Sequence, residues 1–229
     1  MIPLGVLAGS ARVGGLSPGL YYVGAASTGT GTSTRTFSNM DLGGVDSYAR
    51  TVIVVSWRHA GGGVNVSSVT VGGSAATERA KVWREIYSGV SVHDIATPSA
   101  SADVVVELGV NVYWLRVAVY LLVGSASLPA YSTSGTASTS SASSLSTPLT
   151  LPSGGAYVIA GDVNESDTAS ALATWSGGVT LDDNTTDEAY AHMSFASGDV
   201  SSTSPTITAT WPAPSSGTLA SAAYTRGDA

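Results

Sequence analysis

The apolar positions of this chain fall in short runs and not at helical spacing. Runs of β-branched or alternating residues, bounded by Gly, Ser, Asn or Pro, recur from residue 50 onward. That period and that punctuation belong to strands and turns. The first half offers TVIVVSW (51–57), VSSVTVGG (66–73), KVWREIY (81–87), DVVVELG (103–109) and VYWLRVAVYLLV (112–123). The second offers AYVIAGDV (156–163), ATWSGGVTL (173–181), EAYAHMSF (188–195), TITATW (206–211) and LASAAYT (219–225). An all-β chain is expected.

The two sets run in step. Ile53 and Ile159, Val69 and Trp175, Val104 and Ile207, and Ala118 and Ala222 are separated by 106, 106, 103 and 104 residues. Such spacing implies an internal two-fold pseudo-repeat, over about 50–124 and 155–225. The second set is poor in large side chains, so both are expected to share one core, in a single jelly-roll-like β-sandwich over residues 37–229; the alternative is two independent small sandwiches. Between them, STSGTASTSSASSLST (132–147) has no charge and no aromatic residue. It reads as a Ser/Thr-rich surface loop crossing from one repeat to the other.

Residues 1–36 are different. The stretch 1–23 is apolar and Gly-rich, interrupted by Pro3 and Pro18, and 24–36 is rich in small residues. One reading is a first strand with a loose terminus. The other is an extended arm on a tether, whose Ile2, Leu4, Val6, Leu7, Leu20, Tyr21 and Tyr22 are too apolar to stay in water and pack on a neighbouring subunit.

Composition narrows the chemistry. There is no cysteine, which excludes disulfides and thiolate metal sites. A net charge of −7 with Lys81 as the one lysine argues against nucleic acid, because phosphate binding needs clustered cations. Arg50, Arg58, Arg79, Lys81 and Arg84 lie in the first half, while the charged residues from 150 onward are nearly all acidic, so either the halves attract each other or copies meet head to tail. The start MIPLGVLAGSA lacks the basic residues of a signal peptide. No run reaches the ~20 apolar residues of a membrane helix, and the densest carries Arg116, so a soluble chain is expected.

Candidate catalytic groups do not form a constellation. Ser17 sits in Gly15-Leu16-Ser17-Pro18-Gly19, but a nucleophile elbow needs a strand before it and a helix after it, and Pro18 removes that context. His59, His93 and His192 are scattered and read as surface or turn residues. Asp182, Asp183, Asn184, Asp187 and Glu188, like Asp162, Asn164, Glu165 and Asp167, lack the alternating order of a calcium loop and read as solvated turns. The terminal Arg226-Gly227-Asp228 is assigned no role. Neither an enzyme, a cofactor nor a metal site is expected. Trp57 and Trp175 are either partly buried core residues or platforms for stacking sugar rings.

The start MIPLGVLA, the strand TVIVVSW, then VSSVTVGGSAAT and the echo GGAYVIAGDV…ATWSGGVTL resemble small β-sandwich minor structural proteins of tailed bacteriophages, prophages and gene transfer agents. The resemblance implies a virion protein of head, neck or tail. It implies a connector, decoration or fibre-base subunit, built as a homo-oligomer and contacting other virion proteins. The competing reading is a carbohydrate-binding module or host-surface adhesin that holds a glycan on exposed aromatic rings.

Overall fold

The computed structural model describes residues 16–29, 31, 33–59, 65–84, 88–165, 172–187 and 191–228, without the side chains of 186 and 187. Among these residues every regular element is a β-strand, and no helix is long and apolar enough to cross a membrane. The first half contributes β1 (Gly19–Thr28), β2 (Thr34–Asp41), β3 (Ala49–Arg58), β4 (Val66–Val71), β5 (Ser74–Ala75), β6 (Thr77–Trp83), β7 (Ser88–Ala96), β8 (Ser101–Leu108) and β9 (Trp114–Val123). The second contributes β10 (Tyr131–Pro148), β11 (Ala156–Glu165), β12 (Thr174–Ser176), β13 (Thr180–Asp187), β14 (Ala191–Val200) and β15 (Thr206–Tyr224).

All pairings are antiparallel. One sheet has the order β1-β9-β3-β7-β6, a second the order β2-β8-β4-β5, and a third the order β10-β15-β11-β14-β13 with β12 also paired to β15. The long strands β10 and β15 bend together. Residues 131–139 of β10 pair with 217–224 of β15, whereas 144–148 pair with 206–210, with register shifts between. The bend passes through Pro212 and Pro214, which cannot donate to a ladder. It lays Ile207, Ala209 and Trp211 over Val158, Ala160 and Ala196 of the same sheet.

Three cores follow. Ile53, Val55, Trp57, Val117 and Val119 of the first sheet meet Phe37, Val69, Val71, Val104 and Val106 of the second. The third sheet closes its own core with Leu145, Ile207 and Trp211. Between the halves, Val52, Val54, Val90, Val92, Tyr120 and Leu122 face Tyr157, Ile159, Met193, Phe195, Ala222 and Tyr224. Strands β3, β9 and β11 are therefore buried on both faces, which is why their sequences read as continuous apolar runs. Strands β2 and β8, with one wet face, alternate. Close approach at the seam depends on Gly161, where a Cβ would lie 2.7 Å from Val54 Cγ1.

Polar groups border the seam. Tyr22 and Tyr120 oppose each other across β1 and β9, with ring centroids 5.4 Å apart. Tyr131 and Tyr224 do the same across β10 and β15, at 6.1 Å. The Tyr120 hydroxyl donates to Asp182 at 3.0 Å and the Tyr22 hydroxyl to Asp183 at 2.8 Å, while Arg116 pairs with Asp183. Near the other tyrosine pair, Asp94 is 1% exposed and takes Arg50 Nη1 and Arg79 Nε, each at 2.7 Å. The Arg79 guanidinium also lies 4.7 Å above the Tyr131 ring. The expected attraction between a basic first half and an acidic second half is thus carried by Arg116 on Asp183 and by Arg84 beside Glu165, whereas Asp94 is held within the first half.

Several expectations change. The stretch 132–147, expected as a loop, lies within β10; its Ser and Thr side chains suit a strand with a wet face, and Thr147 and Ser146 bond across to Ser221 and Thr208 at 2.8 Å. Leu20, Tyr21 and Tyr22 belong to β1, which pairs with β9 of its own sheet, so the expected arm and tether give way to strands from Gly19 onward. Leu20, Tyr22 and Ala25 pack on the seam, a gain not visible in a segment without clear alternation. Ile2, Leu4, Val6 and Leu7 lie outside the described residues. The expected strand 173–181 is split into β12 and β13 by Gly177 and Gly178, both with positive φ. Strand β7 carries two cores but was not anticipated, because Ser91, His93 and Asp94 interrupt its apolar positions.

Two outcomes are expected from this packing. Asp94→Ala leaves two arginines without their carboxylate and should lower unfolding free energy by about 3 kcal/mol, as removal of one partner of a buried pair does; urea melts at neutral pH measure it. Residues 128–229 expressed alone expose the seam face and should not melt cooperatively as a monomer. Adding a fragment of residues 1–127 should restore a cooperative transition, read by circular dichroism.

Candidate functional site

Most groups with catalytic potential are inside the protein and tied to structural partners. Asp162 points between the layers of the second half, is fully buried, and accepts hydrogen bonds from Ser194 Oγ and from Trp211 Nε1, the latter at 2.9 Å. Trp175 Nε1 donates to the same Ser194 hydroxyl at 3.0 Å. Burial pushes the Asp162 carboxyl up to about 7, with the Ser194 and Trp211 donors opposing. Asp182 and Asp183 are drawn into the seam by Tyr120, Tyr22 and Arg116, and burial raises the Asp182 carboxyl. Neither carboxylate group is the solvated turn that its sequence suggested, because β11 is a strand buried along almost its whole length and Asp182 and Asp183 are half-buried in the edge strand β13. Glu188 and Asp167 lie outside the described residues.

The histidines do not meet. His93 is buried in β7 with its Nε2 2.9 Å from Ser91 Oγ, and burial, aided by Lys81, lowers it to about 4, so it is neutral at pH 7. His192 is buried in β14, and both therefore depart from the surface role expected of them. Ser17 accepts a hydrogen bond at its carbonyl from the Tyr21 hydroxyl at 2.7 Å. Among the described residues no group of three or more His, Asp or Glu is placed to hold a metal. Arg226 is bonded to Asp199 at 2.9 Å and Asp228 to Ser125 at 2.8 Å, which ties the terminal tripeptide to the fold.

The surface is distinctive at the two ends of the first sheet. At the end where β3 begins and β9 finishes, Leu16 and Val23 pack on Ala49, Leu121 and Val123. Around them Tyr21, Val45 and Tyr48 remain 37%, 62% and 41% exposed. This is an apolar end, and Leu20 and Tyr22, the neighbours of Tyr21 in β1, turn the other way into the seam.

The opposite end carries aromatic rings. In register across the sheet lie Trp83, Gly89, Trp57 and Leu115, all on one face. Trp57 is only 1% exposed, so it offers no face to a sugar; its ring takes the space above Gly89, where a Cβ would lie 2.2 Å away. Trp175 is half-buried against the core of the second half. The exposed rings are instead Trp83 at 42% and Tyr113 at 48%. His59 stacks on Tyr113, with centroids 6.3 Å apart and planes 28° from parallel, and burial lowers its pKa. The Tyr113 N–H donates to the Arg58 carbonyl at 3.0 Å, which continues the β3–β9 ladder and fixes this stack. Sequence reasoning passed over Trp83 and Tyr113 because only strand pairing shows which tryptophan has the covered position.

On the seam side of the same end, Arg84 Nη1 approaches Glu165 to 4.0 Å. Burial raises the Glu165 carboxyl, with Ser88, Arg84 and Arg58 opposing. No protein-family model matches the chain, and no curated protein matches it.

Asp162 gives a signed pH expectation. The folded protein holds this proton more tightly than the unfolded chain, so the group favours folding most at low pH. That contribution falls as pH rises from 3.8 to about 7. The loss is about 4 kcal/mol at 1.36 kcal/mol per pKa unit. Asp162→Asn, which keeps an acceptor for Trp211, should remove this part of the pH dependence. Urea melts of parent and variant between about pH 4 and pH 8 measure it, and equal slopes would contradict the assignment.

Proposed function

We propose that this chain is a non-enzymatic structural subunit that works by assembly, as a connector, decoration or fibre-base protein of a phage-like particle. The observation that carries this reading is the apolar end of the first sheet. Leu16, Tyr21, Val45 and Tyr48 gather there, and the sequence immediately before them, residues 1–15, holds Ile2, Leu4, Val6 and Leu7. Contiguous exposed apolar side chains of this kind mark contacts with another protein. The partner is a second copy of the chain or another virion protein, and residues 1–15 extend the same contact.

The finer form of the fold belongs to this proposal. In place of the single jelly-roll-like sandwich expected around one shared core, each half is read as a jelly-roll-like sandwich, because each has a core of its own besides the one between them, and the two are read as copies of one plan packed back to back. The strand orders β1-β9-β3-β7 and β2-β8-β4-β5 support a jelly roll in the first half, and β10-β15-β11-β14 repeats the first of these orders. The paired tyrosines Tyr22–Tyr120 and Tyr131–Tyr224 occupy corresponding places. Jelly rolls serve in viral capsids and in lectins alike, so the fold is compatible with assembly without choosing it.

The test removes the contact without touching β1. A deletion of residues 2–15 and the double variant Val45→Asp, Tyr48→Asp should both melt like the parent. Both should lose self-association in light scattering, and incorporation into particles should fall at least tenfold. Normal incorporation of either folded variant would refute the assembly mechanism.

A further inference from the structure

The aromatic end of the first sheet has no part in the proposed assembly contact. It lies where β3 ends and β9 begins, and the apolar end lies where β3 begins and β9 ends. Ten-residue strands put roughly 30 Å between them. We infer that this aromatic end is a glycan-binding site, in which Trp83 and the Tyr113–His59 stack each hold one sugar ring of an oligosaccharide.

The rings are placed by backbone pairing and not by chance exposure. Trp83 is opposite Gly89, Gly89 is opposite Trp57, and Trp57 is opposite Leu115. Gly89 has no side chain, so the Trp57 ring fills the space beside Trp83 and leaves Trp83 standing at the sheet edge with 42% of its surface in water. His59 follows Trp57 by two positions, and Tyr113 precedes Leu115 by two, so the stack lies one step further along the same face. Trp83 and His59 stand two strands apart and two residues out of step, about 12 Å at ~4.8 Å per strand and ~3.3 Å per residue. Linked pyranose rings cover such a separation.

The chemistry selects a sugar over other flat ligands. Aromatic faces take the C–H faces of pyranoses, while the indole N–H, phenol and imidazole at the rims meet ring hydroxyls. Burial lowers the pKa of His59, which favours the uncharged imidazole. Stacked bases of single-stranded nucleic acid would need a cationic groove, and the chain carries −7 overall with one lysine. A neutral oligosaccharide needs no such groove.

The experiment is a microarray of bacterial surface polysaccharides, followed by calorimetry with an oligosaccharide cut from a retained glycan. The parent protein should retain at least one glycan. Trp83→Ala and Tyr113→Ala, each melting like the parent, should weaken binding at least tenfold, and Trp83→Phe should recover most of it. Tyr48→Asp, at the other end, should bind as the parent does, which separates this site from the assembly contact. Retention of no glycan by the parent, or undiminished binding by both alanine variants, would overturn the inference.

Discussion

The rest of the structure depends on burying both faces of the inner strands. Sheets β1-β9-β3-β7-β6 and β10-β15-β11-β14-β13 face each other across the seam, and each has a further layer on its outer side. A strand in that position cannot alternate between apolar and polar residues, so β3 reads Val-Ile-Val-Val and β11 reads Tyr-Val-Ile-Ala. It also limits side-chain size where sheets approach. Ala118, Ala220, Ala222 and Gly161 lie on the seam, and the many alanines of the second half, which look too small to support a core, are what this spacing requires.

Such burial leaves polar groups with few options. Each must find a partner inside, and those at the seam find it across strands or across halves. Tyr120 reaches Asp182, Tyr22 and Arg116 reach Asp183, and Asp94 gathers Arg50 and Arg79. These contacts do more for register than for net stability, since a buried ion pair offsets much of its attraction by desolvation while a wrong pairing leaves a bare charge. Asp162 is costly to ionise where it lies. Its donors Ser194 and Trp211 hold it, but desolvation still dominates its pKa.

With the broad faces of the inner sheets covered, the strand ends become the places where chemistry meets solvent. The apolar end around Tyr21, Val45 and Tyr48 is the proposed protein contact, and the aromatic end around Trp83, His59 and Tyr113 the proposed glycan site. A subunit that docks by one end and presents the other accounts for both surfaces with one orientation. Strands β3 and β9 run from one end to the other and are packed on both faces.

The sequence by itself determined the all-β class and the places of most strands, because strand period and turn residues are local properties. Only tertiary structure decided the rest. The stretch 132–147 looks like a loop because hydroxyl side chains do not announce a strand, and only the partner β15 makes it one. Asp162 and Asp182 look solvated because burial is a property of the layers above a residue and not of its neighbours in sequence. Trp57 and Trp83 are alike as letters; pairing through Gly89 puts one under the second sheet and leaves the other at an open edge. Exposure, partner and pKa all arise from contacts between residues distant in the chain, so no local pattern could have assigned them.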